Sequence, residues 1–296
     1  MFGMQMQYEE PVFRPPSEAY SLILQVTIGC SWNKCAFCEM YSTKQFRIRK
    51  FEEIKHDIDS ISKIDNSISK IFLADGNAMV LPSKRLLEIL HYLNKSFPNL
   101  RRISAYALPH DLISKTPEEL HAIREAGLRL IYVGIESGDD EILGMINKSE
   151  TAESTVAGLQ KAQNAGIEAS VMIINGLGGR KYSQQHALNS AKVVSAVNPK
   201  YLATLVLSFP LGKDAYSRKF KGNFEEMKKK ELFVEMNNFL SNLTLENTVF
   251  RTDHASNYLV LRGILNRDRQ KLITLVEKMI NEPDSPELRQ EWMRGL

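Results

Sequence analysis

Between residues 21 and 208, short apolar runs alternate with longer stretches whose apolar positions recur at helical spacing. The runs at 22–28, 70–74, 102–107, 130–135, 169–174 and 201–207 predict strands. The amphipathic stretches at 51–64, 83–94, 116–126, 151–165 and 183–197 predict helices. Thr116-Pro117-Glu118-Glu119 reads as an N-cap, a proline at the first helical position and a capping-box glutamate. Gly127 and Gly166 supply helix stops. Six such repeats predict an α/β fold, a parallel sheet curled into a partial (β/α)6 TIM-like barrel. A flat doubly wound sheet would give similar spacing, so periodicity alone does not choose between them. Beyond residue 212 the pattern predicts a helical and short-strand extension: helices at 225–240, 268–281 and 287–293 and a strand at 248–251. The expected division is an N-terminal extension, 1–20, a barrel core, 21–212, and a C-terminal extension covering the barrel, 213–296.

In parallel α/β folds, chemistry collects at the carboxyl ends of the strands. Here the first strand runs into Gly29-Cys30-Ser31-Trp32-Asn33-Lys34-Cys35-Ala36-Phe37-Cys38. Later strands end in Asp75-Gly76-Asn77, Ala107-Leu108-Pro109, Glu136-Ser137-Gly138, Asn175-Gly176-Leu177-Gly178-Gly179 and Ser208-Phe209-Pro210-Leu211-Gly212. Turn chemistry accounts for any one glycine after a strand; their repetition on one rim points to a site. Alternation puts Tyr132, Gly134 and Glu136 on one face of the fourth strand, and Ser104 with Tyr106 on the third. Facing inward, they would offer hydroxyls and a carboxylate beside the cysteine loop, although barrel filling explains both tyrosines equally well. A second polar cluster, Asp253-His254-Ala255-Ser256-Asn257, follows the strand at 248–251, where Arg251 and Asp253 share a face. Tyr106, Tyr132, Arg251, Asp253, His254 and Asn257 are therefore candidate substrate contacts, with Tyr106 and His254 the candidates for catalysis.

The chain has three cysteines among 296 residues, Cys30, Cys35 and Cys38, all in that one loop. An odd count without a secretory signal argues against a disulfide framework. Three thiolates hold three corners of a 4Fe-4S cube and leave one iron open to a ligand that is not protein. A structural zinc would need a fourth ligand, and the nearest histidine, His56, lies on a helix well past the loop. Net charge is +3, too mild to argue for nucleic acid, and Lys228-Lys229-Lys230 reads as a solvated helical face. No apolar run approaches the length needed to span a bilayer. A reducing cytoplasm is the expected location, and it suits an oxygen-sensitive cluster.

With these residues in view, the chain resembles the radical S-adenosylmethionine enzymes from Arg14 to about Gly263. The resemblance implies that Cys30, Cys35 and Cys38 hold the cluster and that S-adenosylmethionine chelates the open iron. Phe37 matches the aromatic that precedes the family's last cysteine. Asp75-Gly76-Asn77 stands where a Gly-Gly-Glu motif meets the methionine amine, which leaves the contact to either Asp75 or Asn77. Glu136-Ser137 stands at the ribose-contacting strand, and Ile174-Asn175-Gly176-Leu177-Gly178 resembles the adenine-flanking motif. The spacing C-x4-C-x2-C has one residue more than the family's commonest. The segments Arg14–Glu18, Ala74–Ala78 and His254–Asn257 resemble small stand-alone members loosely similar to the oxygen-independent coproporphyrinogen oxidase group.

The resemblance further implies a flavodoxin- or ferredoxin-type electron donor and a radical that takes a hydrogen atom from the substrate. Methylthiolation through an auxiliary cluster, or methyl transfer through cysteine, needs thiols this sequence lacks. The expected function is hydrogen abstraction from a small or medium substrate. The alternatives are a non-catalytic cofactor- or haem-handling iron-sulfur protein and a tRNA-modifying enzyme of the same family.

Overall fold

The computed structural model describes residues 8–294; the first seven residues of the expected N-terminal extension lie outside the described residues. The fold is α/β, as expected, with an eight-stranded and mostly parallel sheet whose strand order is open, as in a partial barrel. Two compact units interleave along the chain.

The first unit holds the residues up to Asn33, Cys38–Val133 and Ala157–Ala169. Its strands are β1 (Leu22–Gln25), β2 (Thr27–Ile28), β3 (Arg47–Ile48), β4 (Lys70–Ala74), β5 (Arg102–Tyr106) and most of β6 (Leu128–Glu136). β1, β4, β5 and β6 pair in parallel, whereas β2 and β3 form a separate antiparallel ribbon. The single strand expected at 22–28 therefore breaks at Val26. Its N–H donates to the Ala74 carbonyl at 2.6 Å and its carbonyl accepts from Arg49 N–H, so the chain turns towards β3. Helices α1 (Phe51–Ile64), α2 (Ser83–Ser96), α3 (Pro109–Ser114) and α4 (Pro117–Glu125) follow these strands. Thr116 caps α4 with the expected reciprocal bonds to Glu119, and Gly127 ends that turn at φ +103°.

After the short helix α5 (Asp140–Met145) and α6 (Ala152–Asn164), the second unit carries β7 (Glu168–Asn175), α7 (Gly179–Val197), β8 (Tyr201–Val206) and α8 (Lys213–Lys219). It closes with α9 (Lys229–Ser241), β9 (Thr248–Arg251), β10 (Arg262–Leu265) and α10 (Arg269–Asn281). β7, β8 and β9 run parallel, and β10 returns antiparallel to β9. Three sequence expectations need correction. α7 starts at Gly179 rather than 183, because the glycine turn itself opens the helix. α9 starts at Lys229 rather than 225, where the Glu231 carboxylate accepts the Lys228 N–H at 2.6 Å. The helix expected at 287–293 is one turn, Glu291–Met293, because Arg289 N–H donates instead to the Tyr258 carbonyl.

Candidate active site

The cysteine loop leaves β2 at Gly29, whose φ of +72° favours glycine. Asp75, at the end of β4, holds this exit: one carboxylate oxygen accepts Gly29 N–H at 2.9 Å and the Lys44 ammonium at 2.8 Å. The other oxygen accepts Gln25 Nε2 at 3.0 Å. Asp75 is fully buried and Lys44 nearly so, so this ion pair is braced by hydrogen bonds on every side. Of the two candidates for the amine contact, Asp75 is thus committed to the loop's own backbone.

Gly76 N–H donates to the Gly29 carbonyl at 3.1 Å. A Cβ at position 76 would stand 2.8 Å from Cys30 Cβ and 2.8 Å from Tyr41 Cε2, so only glycine fits beside this cysteine. Asn77 is buried, and its amide donates to Ser31 Oγ at 2.9 Å and to the Asp111 carboxylate at 2.5 Å. Because a carboxylate only accepts, the Asp111 bond fixes the amide orientation. Asn77 Oδ1 is then a buried acceptor with no donor among the described residues.

On β5 and β6 the expected face is present. Phe72, Tyr106 and Tyr132 pack edge to face, with centroids 5.0–6.2 Å apart. Ser104 is fully buried and makes only a long contact, 3.5 Å, to the Ile71 carbonyl. Tyr132 donates to the buried Glu18 carboxylate at 2.6 Å, which also takes Arg102 at 2.8 Å and Ser21. Its hydroxyl therefore anchors the N-terminal segment. Tyr106 has no hydrogen-bond partner among the described residues, and burial pushes its phenol pKa up.

Within the second unit, Ala36 N–H donates to the Ile146 carbonyl at 2.8 Å, which fixes the residue next to Cys35 to the end of α5. Phe37 packs on an apolar cluster that includes Ile142, Leu177, Tyr216 and Phe220. Glu136 ends β6 at φ +66°, a strained conformation for a glutamate. Its side chain folds back over Gly134, where a Cβ would stand 1.8 Å from Oε1. Oε1 lies 3.8 Å from Lys148 Nζ, and Oε2 is buried without a donor among the described residues. Burial raises the carboxyl pKa, and Lys148 partly opposes the shift.

The turn after β7 rests on α9. Gly176, at φ +81°, donates its N–H to Glu235 Oε1 at 2.6 Å, and a Cβ there would press on Leu232 at 2.8 Å. Asn175 Nδ2 donates to the Leu232 carbonyl at 3.2 Å. The Leu177 side chain is core, and its carbonyl accepts from Tyr216 at 2.7 Å, so Leu177 offers a ligand no side chain. A Cβ on Gly178 would meet Ile142 at 2.8 Å. Beneath the turn, His186 Nε2 donates to the Ile174 carbonyl at 3.0 Å while Nδ1 meets Ser137 Oγ at 2.8 Å. Neither Glu235 nor its role in seating Gly176 was expected from sequence. Its signal is a glutamate at i+3 from Leu232 and i−4 from Phe239, on the apolar face of α9.

The polar cluster after β9 is largely engaged with its own surroundings. Asn257 donates to the Thr204 carbonyl at 2.8 Å, and Ser256 Oγ accepts from Val206 N–H at 3.2 Å. His254 Nδ1 accepts from Ser256 N–H at 3.2 Å, and Arg289 donates to the His254 carbonyl at 2.7 Å. Asp253 pairs with Arg262 at 3.4 Å on the surface, and Arg251 is exposed. This loop continues the edge of β8 and is pinned by the C-terminal arginines.

Cys30, Cys35 and Cys38 are half-buried and form no disulfide. Among the described residues no three His, Cys, Asp or Glu side chains converge as ligands of a single metal ion. In a 4Fe-4S cube each thiolate takes a different iron. His56, the histidine a zinc site would recruit, is exposed on α1. Asn77, whose amide nitrogen bonds Ser31, the residue after Cys30, presents an orphaned Oδ1 that fits a ligand bringing an N–H donor to this loop. Among the described residues no helix is long and apolar enough to cross a membrane.

A family model described as the Radical SAM superfamily matches residues 24–191. The heme chaperone HemW of Bacillus subtilis (strain 168) is 22% identical over 142 residues, covering 47% of this chain and 38% of its own length. The chain thus matches well under half of that relative. Among solved structures, coproporphyrinogen III oxidase (HemN) from Escherichia coli, a radical SAM enzyme, is similar over 75% of this chain and 52% of its own. Its TM-score is 0.54 at 18% identity. Methylornithine synthase (PylB) covers 88% of this chain and 81% of its own, with a TM-score of 0.50 at 15% identity. At such identities the structural likeness carries the fold. The family match spans more than half of the sequence and includes the cysteine loop, and this chain belongs to the Radical SAM superfamily.

Proposed function

We propose that this protein is a radical S-adenosylmethionine enzyme that takes a hydrogen atom from a small or medium organic substrate. The observation that carries the reading is the cysteine count. A 4Fe-4S cluster held by Cys30, Cys35 and Cys38 keeps one iron without a protein ligand, because the chain offers no fourth thiol. Bound there, cluster and S-adenosylmethionine supply one-electron sulfonium cleavage and hydrogen-atom abstraction, chemistry that belongs to the cofactors.

The chain's own residues bind and orient. Asn77 Oδ1, a buried acceptor without a donor, would take an N–H of the methionine amine, while Asp75 keeps Gly29 and the loop in place. Glu136 Oε2, orphaned at a strand end, would accept a ribose hydroxyl. The backbone of Asn175–Gly178 would line the adenine, its shape set by Glu235 and Leu232. Tyr106, whose hydroxyl has no partner among the described residues, is the residue assigned towards the substrate; Tyr132 and Asn257 spend their polar atoms on Glu18 and on the Thr204 carbonyl. The electron donor is of the flavodoxin or ferredoxin type, and a reducing cytoplasm suits the chemistry. A net charge of +3 favours a small substrate over folded nucleic acid.

The test is anaerobic reconstitution with iron and sulfide, addition of dithionite and S-adenosylmethionine, and quantification of 5′-deoxyadenosine against a Cys35→Ala control. Cysteine-dependent 5′-deoxyadenosine is the expected result. None from a fully loaded protein would overturn the enzyme reading in favour of a cofactor-handling protein, the kind of role that the name of the heme chaperone HemW describes. Retention on tRNA with a steep salt dependence would redirect the search for substrate.

A further inference from the structure

Tyr41 lies three residues beyond Cys38 and is 3% exposed. Its hydroxyl is buried and has no hydrogen-bond partner among the described residues. The ring is held firmly: Phe13 meets it edge-on at 5.5 Å, and the Lys44 ammonium lies 5.6 Å from its centroid. Its Cε2 and the Cβ of Cys30 both stand 2.8 Å from the point a Cβ would occupy on Gly76. The ring edge and the Cys30 side chain therefore both crowd the α-carbon of Gly76, and the hydroxyl is borne by the carbon next to Cε2. A phenol is protonated at neutral pH, so the group is an O–H donor.

A buried hydroxyl without an acceptor is costly, and phenylalanine would fill the same space without that cost. A donor kept in such a place implies an acceptor that the protein atoms do not supply. We propose that Tyr41 donates a hydrogen bond to a sulfur of the iron-sulfur cluster, on its Cys30 side, and so raises the cluster's reduction potential. The inference rests on the cluster proposed above. Such a bond draws electron density from sulfur and stabilises the reduced, more negative state. Tyr41 is on this account a tuning residue and does not touch the substrate.

The experiment compares the full chain with Tyr41→Phe. Both are reconstituted, assayed for iron and sulfide, and titrated electrochemically with EPR detection of the reduced cluster. Equal loading is expected, with a reduction equilibrium about tenfold less favourable in the variant, which is about 59 mV lower for a one-electron couple. A proton coupled to the reduced cluster and exchangeable in D2O should be present in the wild type and absent from Tyr41→Phe. Equal potentials in equally loaded proteins would overturn the inference and leave the proposed function standing. Without cluster, Tyr41→Phe should melt no lower than the wild type; a lower melting temperature would reveal a protein acceptor and also overturn it. A wild type that takes up no iron would overturn the proposed function, and this inference with it.

Discussion

Replacing Gly76 with alanine tests how tightly β4 is fitted to the cysteine loop. The new Cβ would stand 2.8 Å from both Cys30 Cβ and Tyr41 Cε2 and 3.1 Å from Cys30 Cα. Carbon atoms rest at about 3.5–4.0 Å, so each contact is too close by roughly half an ångström or more. Neither neighbour gives way cheaply. Cys30 follows Gly29, which is tied to Gly76 N–H and to Asp75, and Tyr41 is clamped by Phe13 and Lys44. Overpacking of this kind costs about 1–3 kcal/mol, a fall in Tm of roughly 2–5 °C for a chain of this size. The displaced atoms belong to a proposed cluster ligand, so iron per chain after reconstitution should fall as well. Gly144→Ala is the control, since a Cβ there meets nothing within 4 Å. Scanning calorimetry and iron assay read both effects. A Gly76→Ala protein that melts and loads iron like the wild type would refute the reasoning.

Three further perturbations follow from the same geometry. Lys44→Met strands the fully buried Asp75 carboxylate and should cost about 3 kcal/mol; the double variant with Asp75→Asn should be more stable than Lys44→Met alone in urea unfolding. The folded pKa of Glu136 is raised by burial, so its ionisation costs stability as pH climbs from the unfolded carboxyl value towards the folded one. Glu136→Gln should therefore gain stability relative to wild type as pH rises, while equilibrium dialysis finds weaker S-adenosylmethionine binding; an unchanged affinity would remove Glu136 from the cofactor site. The pKa of His254 is lowered, by burial first and then by Arg289. The neutral ring thus contributes stability present above the unfolded value of about 6.5 and lost as pH falls towards the folded value. Thermal melts should show that loss in wild type and a flatter profile in His254→Asn, and parallel profiles would contradict it.

Much of the fold was legible because its strands are buried runs set between amphipathic helices. β4 has the expected bounds, 70–74, and α1 those expected at 51–64. The break at Val26 was not legible, since Leu22–Ile28 is a continuous run and the change of partner is written only in where two backbone groups bond. The short helices α3 and α5 fall below the length at which periodicity speaks, although Pro109 and Asp139 begin them in the usual way. In the proposed site, the three cysteines stand out by counting alone. The preference for Asn77 over Asp75 has no such signal, because it rests on Lys44 and Gln25, which approach from distant positions and bond the aspartate. Tyr41 lies in an irregular segment and Glu18 in a single 3-10 turn, Pro16–Glu18, both too short of regular structure for a period to mark a buried residue. The cluster at 253–257 looked free because the arginines that bind it, Arg289 and Arg294, arrive from the far end of the chain.

The central claim is that three thiols leave one iron open for S-adenosylmethionine. It is tested most directly by EPR of the reduced, reconstituted protein before and after S-adenosylmethionine is added. The account predicts a 4Fe-4S signal that depends on Cys30, Cys35 and Cys38 and whose g-values shift on addition, as a new ligand on the open iron requires. A loaded cluster whose spectrum is indifferent to S-adenosylmethionine would contradict it.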